Sequence, residues 1–276
     1  MKKIIVPTDF SELSENALKV AADIAKKHGS EIYLLHMLDL SEQFVNISES
    51  SKQQQLLFYM QLANNNFEKL LEKPYLKEVK VTPVIKHFKV FQEINTAAHE
   101  LDADIILMSS RGASGIKGYL VGSNTEKVVR TAEIPVLVIK SEMKNFQPRT
   151  IVFACDFTLE NINPYNQVKK IAAFLGAELK MVYINTPNLK FKSTYEAREH
   201  MREFMSAAKI SMTNQPIIIY NDYMIQEGIK NAAEDLKADL IAIPTHGRKG
   251  IEKLLSGSIG ESVANTSEIP VITIKI

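Results

Sequence analysis

Two hydrophobic regimes alternate along this chain: short apolar runs, and longer stretches in which apolar residues return at helical spacing. Lys3 to Val6 is a short run that ends at Pro7-Thr8-Asp9, and Ser11 stands where a helix N-cap should be. From about Glu12 to His28 the positions Leu13, Ala17, Val20, Ala21 and Ile24 form one stripe, which predicts an amphipathic helix stopped by Gly29. Ile32 to Leu38 is apolar on both faces, as suits a parallel strand covered by helices on either side. Beyond the polar residues Ser41 to Gln55, the series Leu56, Met60, Ala63, Phe67 and Leu70 predicts a long crossover helix, with a lid or a dimer contact as the alternative. Strands are expected at Val79 to Ile85, Ile105 to Met108 and Pro135 to Ile139, and a helix at Phe91 to Leu101. Lys140 to Arg149 is polar, carries Pro148 and reads as a linker.

The same order then returns. Strands are expected at Ile151 to Ala154, Leu179 to Ile184, Pro216 to Tyr220, Leu240 to Ile243 and Val271 to Ile276. Helices are expected at Leu159 to Leu175, Thr194 to Ala208, Met224 to Leu236 and from Ser258 onward. Laid from Ala103 and from Ala238 without a gap, the final stretches of the two series match at about half of their positions, so the chain is a duplicated domain. Alternating strands and helices of these lengths make each copy, residues 1–141 and residues 149–276, an α/β doubly wound, Rossmann-like domain with a parallel five-stranded sheet. Left as free edges, the fifth strands PVLVIK and PVITIKI would invite aggregation. They are therefore expected to pair across a pseudo-two-fold axis, so that one chain mimics a dimer, with a further homodimer left open.

Composition narrows the function. The chain has 276 residues, 45% hydrophobic and 24% charged, the make-up of a soluble globular protein of roughly two domains. A net charge of +1 gives no electrostatic footprint for nucleic acid or an acidic membrane, and no apolar run is long enough to span a bilayer. The single cysteine, Cys155, excludes an internal disulfide and fits a cytoplasmic protein.

Candidate chemistry gathers beyond the carboxyl ends of the strands, where doubly wound sheets bind ligands. In the second copy Gly247 is followed after nine residues by Gly257-Ser258, which opens a helical pattern; Gly112 and Gly122-Ser123 repeat this in the first. Glycines that admit close backbone approach, together with a helix N-terminus, make a phosphate cradle. Asp9 and Asp156 directly follow the first strand of each copy. They could accept hydrogen bonds from ribose hydroxyls or cap the next helix, a task Ser11 and Thr158 already fill. Met37 and Ile184 end the second strands; they are core residues by spacing alone, and would lie against a base if one binds. His246 has no triad or metal set spaced with it, and Cys155 reads as a small core residue.

With these residues assembled, the sequence resembles the universal stress protein family, and in particular its tandem-domain members. The carriers are VPTDFSELSENAL, LLHMLD, and the loop-to-helix segments that end EIPVLVIK and EIPVITIKI. ATP-binding members of that family carry Gly, two residues, Gly, nine residues, Gly, then Ser or Thr after the fourth strand. Ser109 and Pro244 stand where the first glycine would be, so both copies depart from the pattern there. The resemblance implies that Gly247, Gly257 and Ser258 hold phosphates, Asp156 the ribose and Ile184 the adenine. Gly112, Gly122, Ser123, Asp9 and Met37 are their counterparts in the first copy. Arg248, Lys249 and Lys253 give the second loop more basic groups than Arg111 and Lys117 give the first, which favours the second copy for a polyphosphate, whereas VPTDFS in the first copy matches the family front better than FACDFT in the second. The implied protein is a cytoplasmic stress-response regulator that binds ATP, with any Mg2+ held through the phosphates, and acts through protein partners still to be identified. Two other readings stay open: an interaction scaffold with a vestigial cradle, and a slow ATPase.

Overall fold

The computed structural model describes residues 1–38, 49–87, 90–110, 123–188, 191–211, 217–246 and 259–276. They form two compact units, one ending at Phe146 and the other beginning at Gln147. In the first unit the strands β1 (Lys3–Thr8), β2 (Glu31–Leu38), β3 (Val81–His87), β4 (Ile105–Ser109) and β5 (Val136–Ile139) form a parallel sheet in the order β3-β2-β1-β4-β5. The second unit repeats this with β6 (Thr150–Ala154), β7 (Glu178–Asn185), β8 (Ile217–Asn221), β9 (Leu240–Thr245) and β10 (Val271–Lys275), ordered β8-β7-β6-β9-β10. The central strands β1, β4, β6 and β9 are buried on both faces, which is why they read as unbroken apolar runs.

Helices α1 (Glu12–His28), α2 (Glu49–Leu71), α3 (Val90–Glu100) and α4 (Ser123–Thr131) belong to the first unit; α5 (Ile162–Leu175), α6 (Thr194–Ala207), α7 (Ile225–Asp235) and α8 (Ile259–Thr266) belong to the second. Ser11 caps α1 by accepting from the Ser14 amide, and Gly29 ends it in the left-handed conformation at φ 68°. Thr158 differs from its expected capping role. A short 3₁₀ turn, Leu159–Asn161, precedes α5, and the Thr158 hydroxyl donates to Asp156 Oδ1 instead of capping the helix. The long crossover helix predicted from Leu56 to Leu70 is α2, which turns Ala63, Phe67 and Leu70 inward.

Repeated devices hold each sheet at its amino end. Asp104 Oδ2 accepts from the amides of Lys2 and Lys3 at 2.6 and 3.0 Å, and Asp239 Oδ2 accepts from those of Arg149 and Thr150 at 2.8 and 3.0 Å. The start of each first strand is thereby tied to the start of the fourth. The segment after β5 is less of a tether than its polarity suggests. Phe146 and Pro148 are buried, the Phe146 amide donates to Asp23 at 2.8 Å, and Glu142 pairs with Lys19 of α1 at 2.7 Å.

Gly260, in the first turn of α8, sets how closely that helix approaches β9. A Cβ on Gly260 would meet Thr245 Cγ2 at 2.6 Å, far inside van der Waals contact, whereas Ile243 and Thr273 would be at an ordinary 3.8 Å. Gly260→Ala should therefore destabilise the protein by about 1–3 kcal/mol through overpacking. Thr245→Ser removes the obstructing methyl, so the double variant should recover most of that loss in urea denaturation.

Candidate functional site

The site is built where the central strands part company. The β1–β4 ladder pairs only Ile4 with Ile105 and Ile5 with Ile106, although β1 runs on to Thr8 and β4 to Ser109. In the second unit the β6–β9 ladder ends at Phe153 and Ala242. Beyond these residues the strands diverge toward opposite neighbours and leave a crevice at the carboxyl end, the switch point of a doubly wound sheet. Pro244 is accommodated by this arrangement. The Ile241 amide donates to Pro270 and Thr245 accepts from Ile276, so odd-numbered residues face β10 and Pro244 faces the β6 side, past the end of the ladder.

A carboxylate stands at the crevice in both units, fixed in the same way. Asp9 Oδ1 accepts from the amide and hydroxyl of Ser11, at 3.0 and 2.5 Å. Asp156 Oδ1 accepts from the amide and hydroxyl of Thr158, at 3.2 and 3.0 Å, and from Asn161 Nδ2 at 2.7 Å. In each case every such bond goes to Oδ1, and Oδ2 has no hydrogen-bond partner among the described residues. Burial pushes the Asp9 carboxyl up, but the hydrogen bonds it accepts, chiefly from Ser11, outweigh it and leave the pKa below its ordinary value. Asn161, 2% exposed, also donates to Thr158 Oγ1 at 2.9 Å, yet its own Oδ1 is buried without a partner.

The residue after each aspartate makes this geometry. Phe10 and Phe157 adopt φ of 63° and 55°, a left-handed bend that costs an L-residue about 1 kcal/mol. Ring packing offsets the cost. Phe10 lies 4.5 Å from His36 and 5.0 Å from Phe67, centroid to centroid, and Phe157 lies 5.1 Å from Phe204 and 6.2 Å from Phe153. Histidines brace the same turns: His36 Nδ1 is 2.8 Å from the Thr8 carbonyl and His200 Nε2 is 2.7 Å from the Asp156 carbonyl. Neither aromatic was singled out from sequence; the signal available was the Asp-Phe pair standing at the same place in both copies.

Met37 and Ile184 are partly buried near the ends of β2 and β7 and pack against the core of their own units. Ile184 is approached closely by α7, since a Cβ on Gly228 would come within 2.6 Å of its Cγ2. Gly112, Gly122, Gly247, Arg248, Gly257 and Ser258 lie outside the described residues; Ser123 opens α4. His246 follows β9, and its Nε2 stands 3.0 Å from Glu160 Oε1, a pairing across the crevice that a sequence separation of 86 concealed. Cys155 lies one residue past β6. Burial pushes its thiol well up, opposed by the hydrogen bond from the Phe157 amide.

One further group was hidden in the presumed linker. Lys140, directly after β5, is 4% exposed, and its Nζ donates to the buried Ser110 Oγ at 3.0 Å. Burial lowers its pKa from 10.5 to about 8.

A family model described as "Universal stress protein family" matches the chain twice, over residues 1–140 and 148–275. Universal stress protein MJ0531 of Methanocaldococcus jannaschii is 33% identical over 146 residues, which are 52% of this chain and 84% of that protein. Universal stress protein Slr1230 of Synechocystis sp. is 25% identical over 299 aligned residues, covering 100% of both. Among solved structures, a universal stress protein from Archaeoglobus fulgidus superposes with a TM-score of 0.69 at 26% identity, over 99% of this chain and 98% of its own.

The Lys140 environment has a pH signature. Below pH 8 the amine is protonated in both folded and unfolded chains; between about 8 and 10.5 only the unfolded chain keeps the proton, so this group adds stability as pH rises. Lys140→Met should accordingly be more stable than the parent at pH 7, by on the order of 2 kcal/mol. That gap should close toward pH 10, as followed by urea midpoints at matched pH.

Proposed function

The chain belongs to the universal stress protein family as a tandem member, and on that premise we propose that it binds ATP and reports its nucleotide state to protein partners. One observation carries the nucleotide reading. In both units a carboxylate is locked at the switch-point crevice with one oxygen spent on its own turn and the other unpaired among the described residues. A vicinal diol is the neutral partner that such an oxygen suits, because its hydroxyls donate without needing the carboxylate to change charge. Ile184 and Met37, partly buried beside that carboxylate's strand, offer an apolar flank for a base. The glycine loops after β4 and β9 would supply main-chain amides to the phosphates, with Mg2+ held through the phosphates themselves.

The chemistry assigned to the protein side is binding and orientation. Asp9 and Asp156 hold the ribose, the strand-end side chains exclude water from the base, and the helix starts at α4 and α8 face the polyphosphate. Binding energy of this kind can favour one arrangement of the loops around the crevice, which makes nucleotide occupancy legible to a partner protein. The protein is proposed to act in the cytoplasm, where ATP is abundant.

Isothermal titration with Mg-ATP tests this reading. Asp156→Ala should weaken ATP binding to the second unit about tenfold to a hundredfold, the equivalent of losing one or two hydrogen bonds to a charged acceptor. Asp9→Ala should do the same in the first unit. Parent protein that takes up no ATP at millimolar concentration, and shows no thermal shift with it, would end the nucleotide reading.

A further inference from the structure

The first unit buries a positive charge that no described residue neutralises. Lys140 Nζ has three protons to donate and, among the described residues, one acceptor, the Ser110 hydroxyl at 3.0 Å. No carboxylate of the described residues pairs with it. Ser110 is itself 1% exposed, and its amide is already spent on the Ile139 carbonyl at 2.9 Å. A hydroxyl offers a dipole and no counter-charge, so the ammonium has left water without compensation, an arrangement that is costly to maintain. Methionine or leucine would fill the same space without that cost.

The direction in which this charge faces follows from strand parity. Ile106 and Met108 of β4 and Val136 and Val138 of β5 pack against Val128 and Val129 of α4. Ser110 and Lys140 stand two residues further along the same faces, beyond the strand ends, so they lie on the side of the sheet that carries α4. The first turn of α4 is fastened to this end, because Thr125 Oγ1 donates to the Ser109 carbonyl at 3.2 Å. Two positive features therefore lie on the same side of this sheet end: a buried ammonium, and the amino end of a nine-residue helix. Both favour an anion placed on that side.

We propose that Lys140 is a binding residue for the phosphate groups of a polyphosphate anion, seated at the carboxyl ends of β4 and β5 against the first turn of α4. Lysine suits this task as a compact point charge with three donors. The second unit lacks the feature. There the counterpart of Ser110 is Thr245, whose hydroxyl turns to the Ile274 carbonyl at 3.5 Å, and Lys275 is only partly buried. Loop composition favours the second unit for a polyphosphate, whereas the uncompensated charge favours the first. The proposal deepens the nucleotide reading and rests on it for the ligand class, but its residues are separate from the ribose-binding carboxylates.

The test uses the full chain as parent, Lys140→Met and Lys275→Met, titrated calorimetrically with Mg-ATP and, in separate experiments, with tripolyphosphate. Lysines of the parent are also reductively 13C-methylated, and the Lys140 resonance, identified by its absence in Lys140→Met, is followed against pH with and without tripolyphosphate. Lys140→Met should weaken both ligands at one site by at least about tenfold, and Lys275→Met by less than about twofold. The Lys140 titration midpoint should rise by more than about one pH unit when tripolyphosphate binds. ATP binding that is unchanged in Lys140→Met, with an unmoved midpoint, overturns the Lys140 assignment and leaves the nucleotide reading standing. Tripolyphosphate bound through Lys140 as tightly as ATP, with no effect of Asp9→Ala on either, upholds the assignment and overturns the nucleotide reading. Failure of the parent to bind either ligand overturns both. Lys140→Met that melts no lower than the parent excludes misfolding as the cause of lost binding.

Discussion

Everything in each unit depends on a central strand that is buried on both faces and must therefore be paired on both edges. β1 and β6 meet this condition by lying between two parallel neighbours. A parallel neighbour can be reached only by a crossover, and the crossovers leave on opposite sides of the central strand. The edge facing β4 or β9 consequently loses its partner early, at Ile5 in one unit and Phe153 in the other. The crevice is the unavoidable remainder of that topology, and Asp9 and Asp156 stand beside it.

What lines the crevice is held by a second constraint, the abrupt turn from strand into helix. An aspartate followed by a left-handed phenylalanine makes the turn, with the ring packed on other aromatic rings and the carboxylate at the crevice. Position and energetics are coupled here: aromatic packing beneath the turn offsets the backbone strain above it, and the Asx-type hydrogen bonds to Ser11 or Thr158 fix which oxygen remains available. At the other end of the sheet, Asp104 and Asp239 do purely structural work with the same side chain. Aspartates occupy both ends of each sheet, and their strand-end context decides whether both backbone ties go to the strand starts or one oxygen stays free of partners among the described residues.

The two units are repeats that have drifted apart in charge. Where the first has Ser110 and a buried Lys140, the second has Thr245 turned back to its own sheet and an exposed pairing of His246 with Glu160 across the mouth. Where the second needs Gly260 to bring α8 close to Thr245, the first has Thr125, whose hydroxyl bonds to the Ser109 carbonyl. Duplicate scaffolds thus carry different polar fittings, and a buried ammonium without a carboxylate partner among the described residues is found in the first unit.

Much of the fold was legible in the sequence because hydrophobic periodicity reports burial directly. The helix from Glu12 to His28, the stop at Gly29 and the duplicated order of strands all followed from one-dimensional spacing, as did family membership from the motif at Asp9 and the segments ending EIPVLVIK and EIPVITIKI. Other features needed the tertiary structure, because they depend on contacts between residues far apart in sequence. Pairing of His246 with Glu160 spans two loops, and whether Thr158 caps a helix or braces an aspartate depends on how the next turn winds. Lys140 read as the first residue of a polar linker, since a lysine after a strand is ordinarily solvated. Only the fold revealed that it is buried beside Ser110. Sequence records which residues prefer to leave water, whereas the charge that is forced out of it is decided by what the folded chain places around that charge.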